Sequence, residues 1–141
     1  MNAARNGKVL CAGRTYCDLV FSGVPNIPKP GEEVYASHLE IHPGGGAFIT
    51  ASYLAGLGVE AALCSVLPTG QLGQEVMHHL NRSPVELMSC EAAADHTEPQ
   101  VTVAISLSDD RSFLTNRSGP ALPPSVDQAL ADPQVVHLHI G

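Results

Sequence analysis

The sequence predicts an α/β fold: a parallel sheet with flanking helices, plus a second, small antiparallel sheet. Short apolar runs alternate with segments of helical periodicity, an arrangement typical of parallel sheets. Two other segments, 34–41 and 101–116, alternate apolar and polar residues, as strands with one buried face do. A tract of one proline and three glycines joins the first of these segments to an apolar helix.

The first elements follow from their apolar runs. Residues 9–13 predict a buried first strand, and residues 19–21 continue as extended structure after Asp18. Three prolines within residues 24–31 predict an irregular connection. The helix after the glycines, at about residues 47–57, is apolar nearly all round, so we expect it to be well buried.

The later elements repeat the alternation of strand and helix. Residues 101–116 form a predicted hairpin, with Asp109 and Asp110 at its tip. The other predicted elements are a core strand at 59–67, a helix at 70–81, a strand at 85–88, a short helix that begins near Ser125, and a last strand at 135–140.

Length and charge narrow the class of protein. The 141 residues suit one domain with a sizeable core. Fourteen acidic side chains against seven basic ones disfavour nucleic acid and anionic membranes as partners, since both reward clustered Lys and Arg. The polar start and the lack of a long apolar run predict neither a signal peptide nor a membrane span, and hence a cytoplasmic protein. Four cysteines without metal-like spacing are expected to be buried thiols.

The three glycines Gly44, Gly45 and Gly46 permit two interpretations. A backbone without Cβ lets a ligand approach closely, and the first turn of the next helix has unpaired amides that can bind hydroxyl or anionic oxygens. A tight turn that only leads into a core helix explains the same glycines equally well.

Several features occur in a recognisable order along the chain. They are the strand that ends at Gly13, Asp18, the proline-rich link, the Pro43-Gly44-Gly45 helix entry that ends Ala55-Gly56-Leu57-Gly58, the Gly70-x-x-Gly73 helix, and the Phe113-Leu114-Thr115 hairpin. In this order they resemble the ribokinase-like (PfkB-type) carbohydrate kinases, over about residues 9–141. The resemblance implies a partial ribokinase-like fold, with the strands 34–41 and 101–116 as a lid over a sugar site. It also implies ATP-dependent phosphorylation of a sugar or nucleoside hydroxyl.

The resemblance implies roles for individual residues. Asp18 would accept hydrogen bonds from substrate hydroxyls, and the backbone at Gly44 and Gly45, with Gly46, would approach the sugar in the same pocket. Two positions depart from the family pattern. Ile49 stands where many members have Asn, so one polar contact is lost or supplied elsewhere. Tyr16 stands where some members have Asn, and it either packs on a sugar face or fills core space.

The family's Gly-Ala-Gly-Asp segment, with the anion hole and the general base, does not occur in this sequence. We therefore expect no catalytic residue here and interpret residues 1–141 as the N-terminal, substrate-binding half of a kinase, inactive alone. ATP and Mg²⁺ would serve the complete enzyme and would not bind this fragment strongly. A metal site is not expected, because the pairs His78-His79 and His137-x-His139 lack carboxylate or cysteine companions at suitable spacing.

Two other functions remain open. One is a non-catalytic small-molecule-binding or dimerisation module, in which the lid strands pair with a second copy, since edge strands readily recruit a partner. The other is an α/β domain without a ligand.

Overall fold

The computed structural model describes residues 7–141, so the polar start of the chain up to residue 6 lies outside the described residues. Ten strands and three helices follow one another in the described part. The strands are β1 (Lys8–Ala12), β2 (Tyr16–Ser22), β3 (His38–Gly44), β4 (Ala61–Cys64), β5 (Val66–Leu67), β6 (Glu86–Leu87), β7 (Glu91–Ala92), β8 (Gln100–Ser106), β9 (Arg111–Asn116) and β10 (Val135–Ile140); the helices are α1 (Gly46–Gly56), α2 (Gln71–Arg82) and α3 (Val126–Leu130).

The core sheet has the order β10-β1-β4-β6, and all its strands are parallel, which confirms the predicted α/β class. Its central strands are completely buried at Leu10, Cys11 and Leu63. One face packs against α1 and α2 and the other against α3, so the strands are apolar on both sides. The predicted buried thiols are confirmed for Cys11, Cys17 and Cys64, while Cys90 is half-buried.

The second sheet has the order β3-β2-β8-β9. Its outer pairs are antiparallel, as expected for the lid, but its central pair β2–β8 is parallel. Both strands start beside each other, at the register pair Tyr16 and Gln100, and lead away from the core in the same direction. The sheet is therefore mixed.

The strand predicted at 34–41 lies at His38–Gly44 instead, and residues 34–37 are irregular. Pro43 can belong to β3 because β3 is an edge strand, where a missing N–H costs no ladder bond. The strand predicted at 59–67 is interrupted at Ser65, whose hydroxyl shares a hydrogen bond of 2.7 Å with Thr15. In the described chain, no helix combines the length and the apolar character needed to cross a membrane.

The expectation that α1 is well buried is wrong for half of the helix. Ala47, Phe48 and Ala51 are buried, but Tyr53 and Leu57 are 73% and 79% exposed. When a helix is apolar on every side, its sequence does not indicate which side is buried. Here the core sheet covers one side of α1 only.

We predict that Gly45→Ala strongly destabilises the fold. Gly45 has a φ of 104°, which side-chain-bearing residues rarely adopt, and a Cβ there would overlap the carbonyl oxygen of Arg14. Urea unfolding should show a loss of about 2 kcal/mol or more. The control is Gly56→Ala, at the end of the same helix, where a Cβ meets open space and alanine is the better helix former. Equal midpoints for the two variants would contradict this account.

Candidate functional site

The carboxylate of Asp18 lies against the Cα of Gly44. Asp18 is in the middle of β2, and Gly44 is at the end of the neighbouring strand β3. A Cβ at position 44 would overlap the Asp18 carboxylate, so the position of this side chain depends on glycine. The structure therefore brings Asp18 against Gly44, and a pocket shared by Asp18 and residues 44–46 stays a prediction.

The turn at Gly45 leads directly into α1. Gly45 is the N-cap residue and provides no side-chain capping bond, and the amide of Ile49 donates to its carbonyl oxygen at 3.0 Å. The backbone of Gly141 lies beside Gly46 and the amide nitrogen of Ala47. The carboxyl end of β10 and the start of α1 are therefore neighbours, and Asp18 lies beside the turn that connects β3 to α1.

Asp18 is half-buried. Its carboxylate oxygens accept no protein hydrogen bond within residues 7–141 but remain accessible to water. Burial raises its pKa, and the neighbouring His42 opposes this by lowering it. A half-buried carboxylate that water can reach can exchange that water for the hydroxyl group of a ligand.

The other candidate residues lie on β2 and in the first turn of α1. Tyr16 is opposite Gly44 in the β2–β3 register and is half-buried. Ile49 is one turn into α1 and 44% exposed. Contact of Asp18, Tyr16, residues 44–46 or Ile49 with a substrate stays a prediction.

A row of polar side chains crosses one face of the second sheet, and sequence reasoning missed it. The register places His42 beside Asp18, Asp18 beside Thr102, and Thr102 beside Thr115. The two threonine hydroxyls share a hydrogen bond of 3.2 Å. We call these four residues the polar row. In the sequence, only the position of His42 two residues before Gly44 hints at the polar row. The other members come together through the pairing of strands that are distant along the chain.

An apolar cavity of about 450 Å³ lies on the opposite face of this sheet. Phe21, Leu39, Val103 and Ile105 line it, together with residues from the irregular segment before β3. These strand positions alternate with the polar row, so the cavity does not contain Asp18.

The two histidine pairs noted in the sequence lie on different elements, His78 and His79 on α2 and His137 and His139 on β10. His139 is on β10, an edge strand of the core sheet, and its Nε2 is 3.1 Å from the hydroxyl of Thr50. Residues 7–141 contain no group of three or more His, Cys, Asp or Glu side chains arranged to hold a metal ion.

The comparisons with known proteins give a family and a fold. The family model described as pfkB family carbohydrate kinase matches residues 6–139. The fold is similar to a ribokinase from Cryptococcus neoformans var. grubii serotype A in complex with ADP (22% identity, TM-score 0.66). It is also similar to a nucleoside kinase from Methanocaldococcus jannaschii (18%, 0.69) and to a PfkB family carbohydrate kinase from Listeria grayi (21%, 0.71). No curated protein matches the sequence.

The chain corresponds to less than half of each of these structures. The matches cover 95%, 95% and 94% of this chain but 40%, 44% and 41% of the three neighbours.

We predict that Asp18→Asn stabilises the protein at neutral pH. Because burial raises the pKa of Asp18, the folded state binds this proton more tightly than the unfolded state, and ionisation at pH 7 lowers the stability of the fold. Below the unfolded pKa of about 3.9 both states are protonated and the penalty disappears. The thermal midpoint should rise by about 2 °C at pH 7 and stay unchanged near pH 3.

The control for this measurement is Asp109→Asn, at the exposed tip of the β8–β9 hairpin. It should leave the midpoint unchanged at both pH values. A lower midpoint for Asp18→Asn at pH 7 would show that the carboxylate stabilises the fold.

Proposed function

Because this chain belongs to the pfkB family of carbohydrate kinases, we propose that it is the substrate-binding half of an ATP-dependent kinase that phosphorylates a sugar or nucleoside hydroxyl. The observation that carries the proposal is the half-buried carboxylate of Asp18, which lies against Gly44 and is free to accept hydrogen bonds from a ligand. We further propose that the enzyme acts in the cytoplasm.

The chemistry of the site suits a polyol. An ionised carboxylate accepts charge-assisted hydrogen bonds from hydroxyl groups. The glycine turn beside Asp18 has no side chains, so a sugar can lie close to the backbone where α1 begins. Tyr16, opposite Gly44, offers an aromatic face on which a sugar ring can pack.

The residues described here do not fit a nucleotide. The start of α1 is the helix N-terminus next to the site, but the carboxylate of Asp18 lies beside the turn that leads into it and would repel a triphosphate. The sequence has no Gly-Ala-Gly-Asp segment to supply a general base and an anion hole. We therefore assign ATP, Mg²⁺ and the chemical step to the part of the complete enzyme that this chain lacks, and we propose that the fragment alone is inactive.

A second candidate function is a dimerisation module that uses the lid strands. Leu39 on β3 and Leu114 on β9 are 54% and 72% exposed, and both strands are edges of the second sheet. Exposed apolar side chains on open edges favour pairing with another copy. Light scattering of the purified chain tests this, and a monomer at high concentration would contradict it.

We predict that Asp18→Ala removes sugar binding. Calorimetry with a panel of sugars and nucleosides should detect binding to the unmodified chain and a loss of roughly ten- to hundredfold in the variant, because a charge-assisted hydrogen bond is lost. Gly44→Ala should weaken binding as well, since its Cβ displaces the Asp18 carboxylate.

Asp109→Ala provides the matched control, because it removes an exposed carboxylate far from Gly44 in the chain. It should bind as the unmodified chain does. Unchanged affinity in Asp18→Ala would refute the proposed role of this carboxylate, and the absence of binding to any sugar or nucleoside would refute the proposed function of the chain.

A further inference from the structure

The imidazole of His42 is next to the carboxylate of Asp18 in the polar row. The strands β2 and β3 are antiparallel, and these two residues are directly opposite each other, so their side chains project from the same face. Cβ atoms in such pairs are about 5 Å apart, close enough for two side chains to contact one small ligand. The effect of His42 on the pKa of Asp18 is a second sign of their proximity.

We propose that His42 is a second substrate-binding residue, which acts with Asp18 to select substrates that carry two adjacent hydroxyl groups. The inference rests on the proposed function, because it assigns a role within the same site. It goes further by naming a specificity residue that the sequence pattern did not indicate.

The hydrogen bond to Glu40 fixes how His42 presents its ring. The Nε2 of His42 is 3.1 Å from the Oε2 of Glu40, and a carboxylate can only accept, so Nε2–H is the donor. Nδ1 makes no hydrogen bond within residues 7–141, and it can accept from a hydroxyl in the neutral ring or donate to one in the imidazolium form. Asp18 and His42 thus offer two polar groups side by side, and each of two neighbouring hydroxyls can form a hydrogen bond with one of them.

The other groups around His42 are compatible with this role. His79 of α2 faces it with ring centroids 6.5 Å apart, and His78 lies beside His79 at 5.9 Å. Both His42 and Glu40 remain substantially exposed, so the imidazole is accessible to a ligand. On the other side of Asp18, Thr102 continues the polar row.

The test is calorimetry of the unmodified chain and of His42 variants with two pairs of probes: ribose and 2-deoxyribose, and adenosine and 2′-deoxyadenosine. We expect the unmodified chain to prefer the member with adjacent hydroxyls by roughly five- to tenfold in at least one pair, the value of one neutral hydrogen bond. His42→Ala should lose this preference. His42→Asn, which keeps a polar atom near the position of Nδ1, should retain more of it than His42→Gln, which keeps one near Nε2.

His38→Ala is the matched control, because it removes another exposed histidine from the same strand, at a register position four residues from His42. It should keep the preference in full. If the unmodified chain binds a probe but His42→Ala shows the same preference, the role of His42 is refuted while the proposed function stands. If the unmodified chain binds none of the probes, the diol preference is refuted; binding to another sugar of the wider panel would then preserve the proposed function alone.

Discussion

The close approach of Asp18 to Gly44 is the contact on which the candidate site depends. The Asp18 carboxylate occupies the space that a Cβ at position 44 would take, so its present position beside the β2–β3 pair requires a glycine there. The same turn continues through Gly45, whose positive φ directs the chain into α1. The second sheet, the start of α1 and the Asp18 carboxylate therefore meet at two successive glycines, Gly44 and Gly45.

Asp18 differs from the other strand residues in its electrostatic environment. Burial raises the pKa of its carboxyl group, and the neighbouring His42 opposes this only in part. Because carboxylates with a shifted pKa are frequent at ligand-binding sites, we propose the site at this position. The contrast with the fully buried apolar strands of the core sheet, such as those with Leu10 and Leu63, shows where the fold gains its stability.

The sequence predicted the order and type of most elements, because apolar runs and helical spacing are local signals. It could not predict what depends on pairing between distant residues. The parallel β2–β8 pair and the alignment of His42 with Thr102 arise from register, which no local pattern encodes. The start of α2 is another example. Its amides at Gln71 and Leu72 donate to the carboxylate of Glu98, more than twenty residues away along the chain.

Side chains alternate between the two faces of the second sheet, so the two faces can change independently during evolution. In β2, Cys17 and Leu19 pack into the core, whereas Asp18 belongs to the polar row on the other face. Substitutions at every second position can therefore change the chemistry of the polar row without disturbing the packed interior. Such a sheet lets natural selection or directed evolution explore new specificities while the scaffold beneath them is conserved.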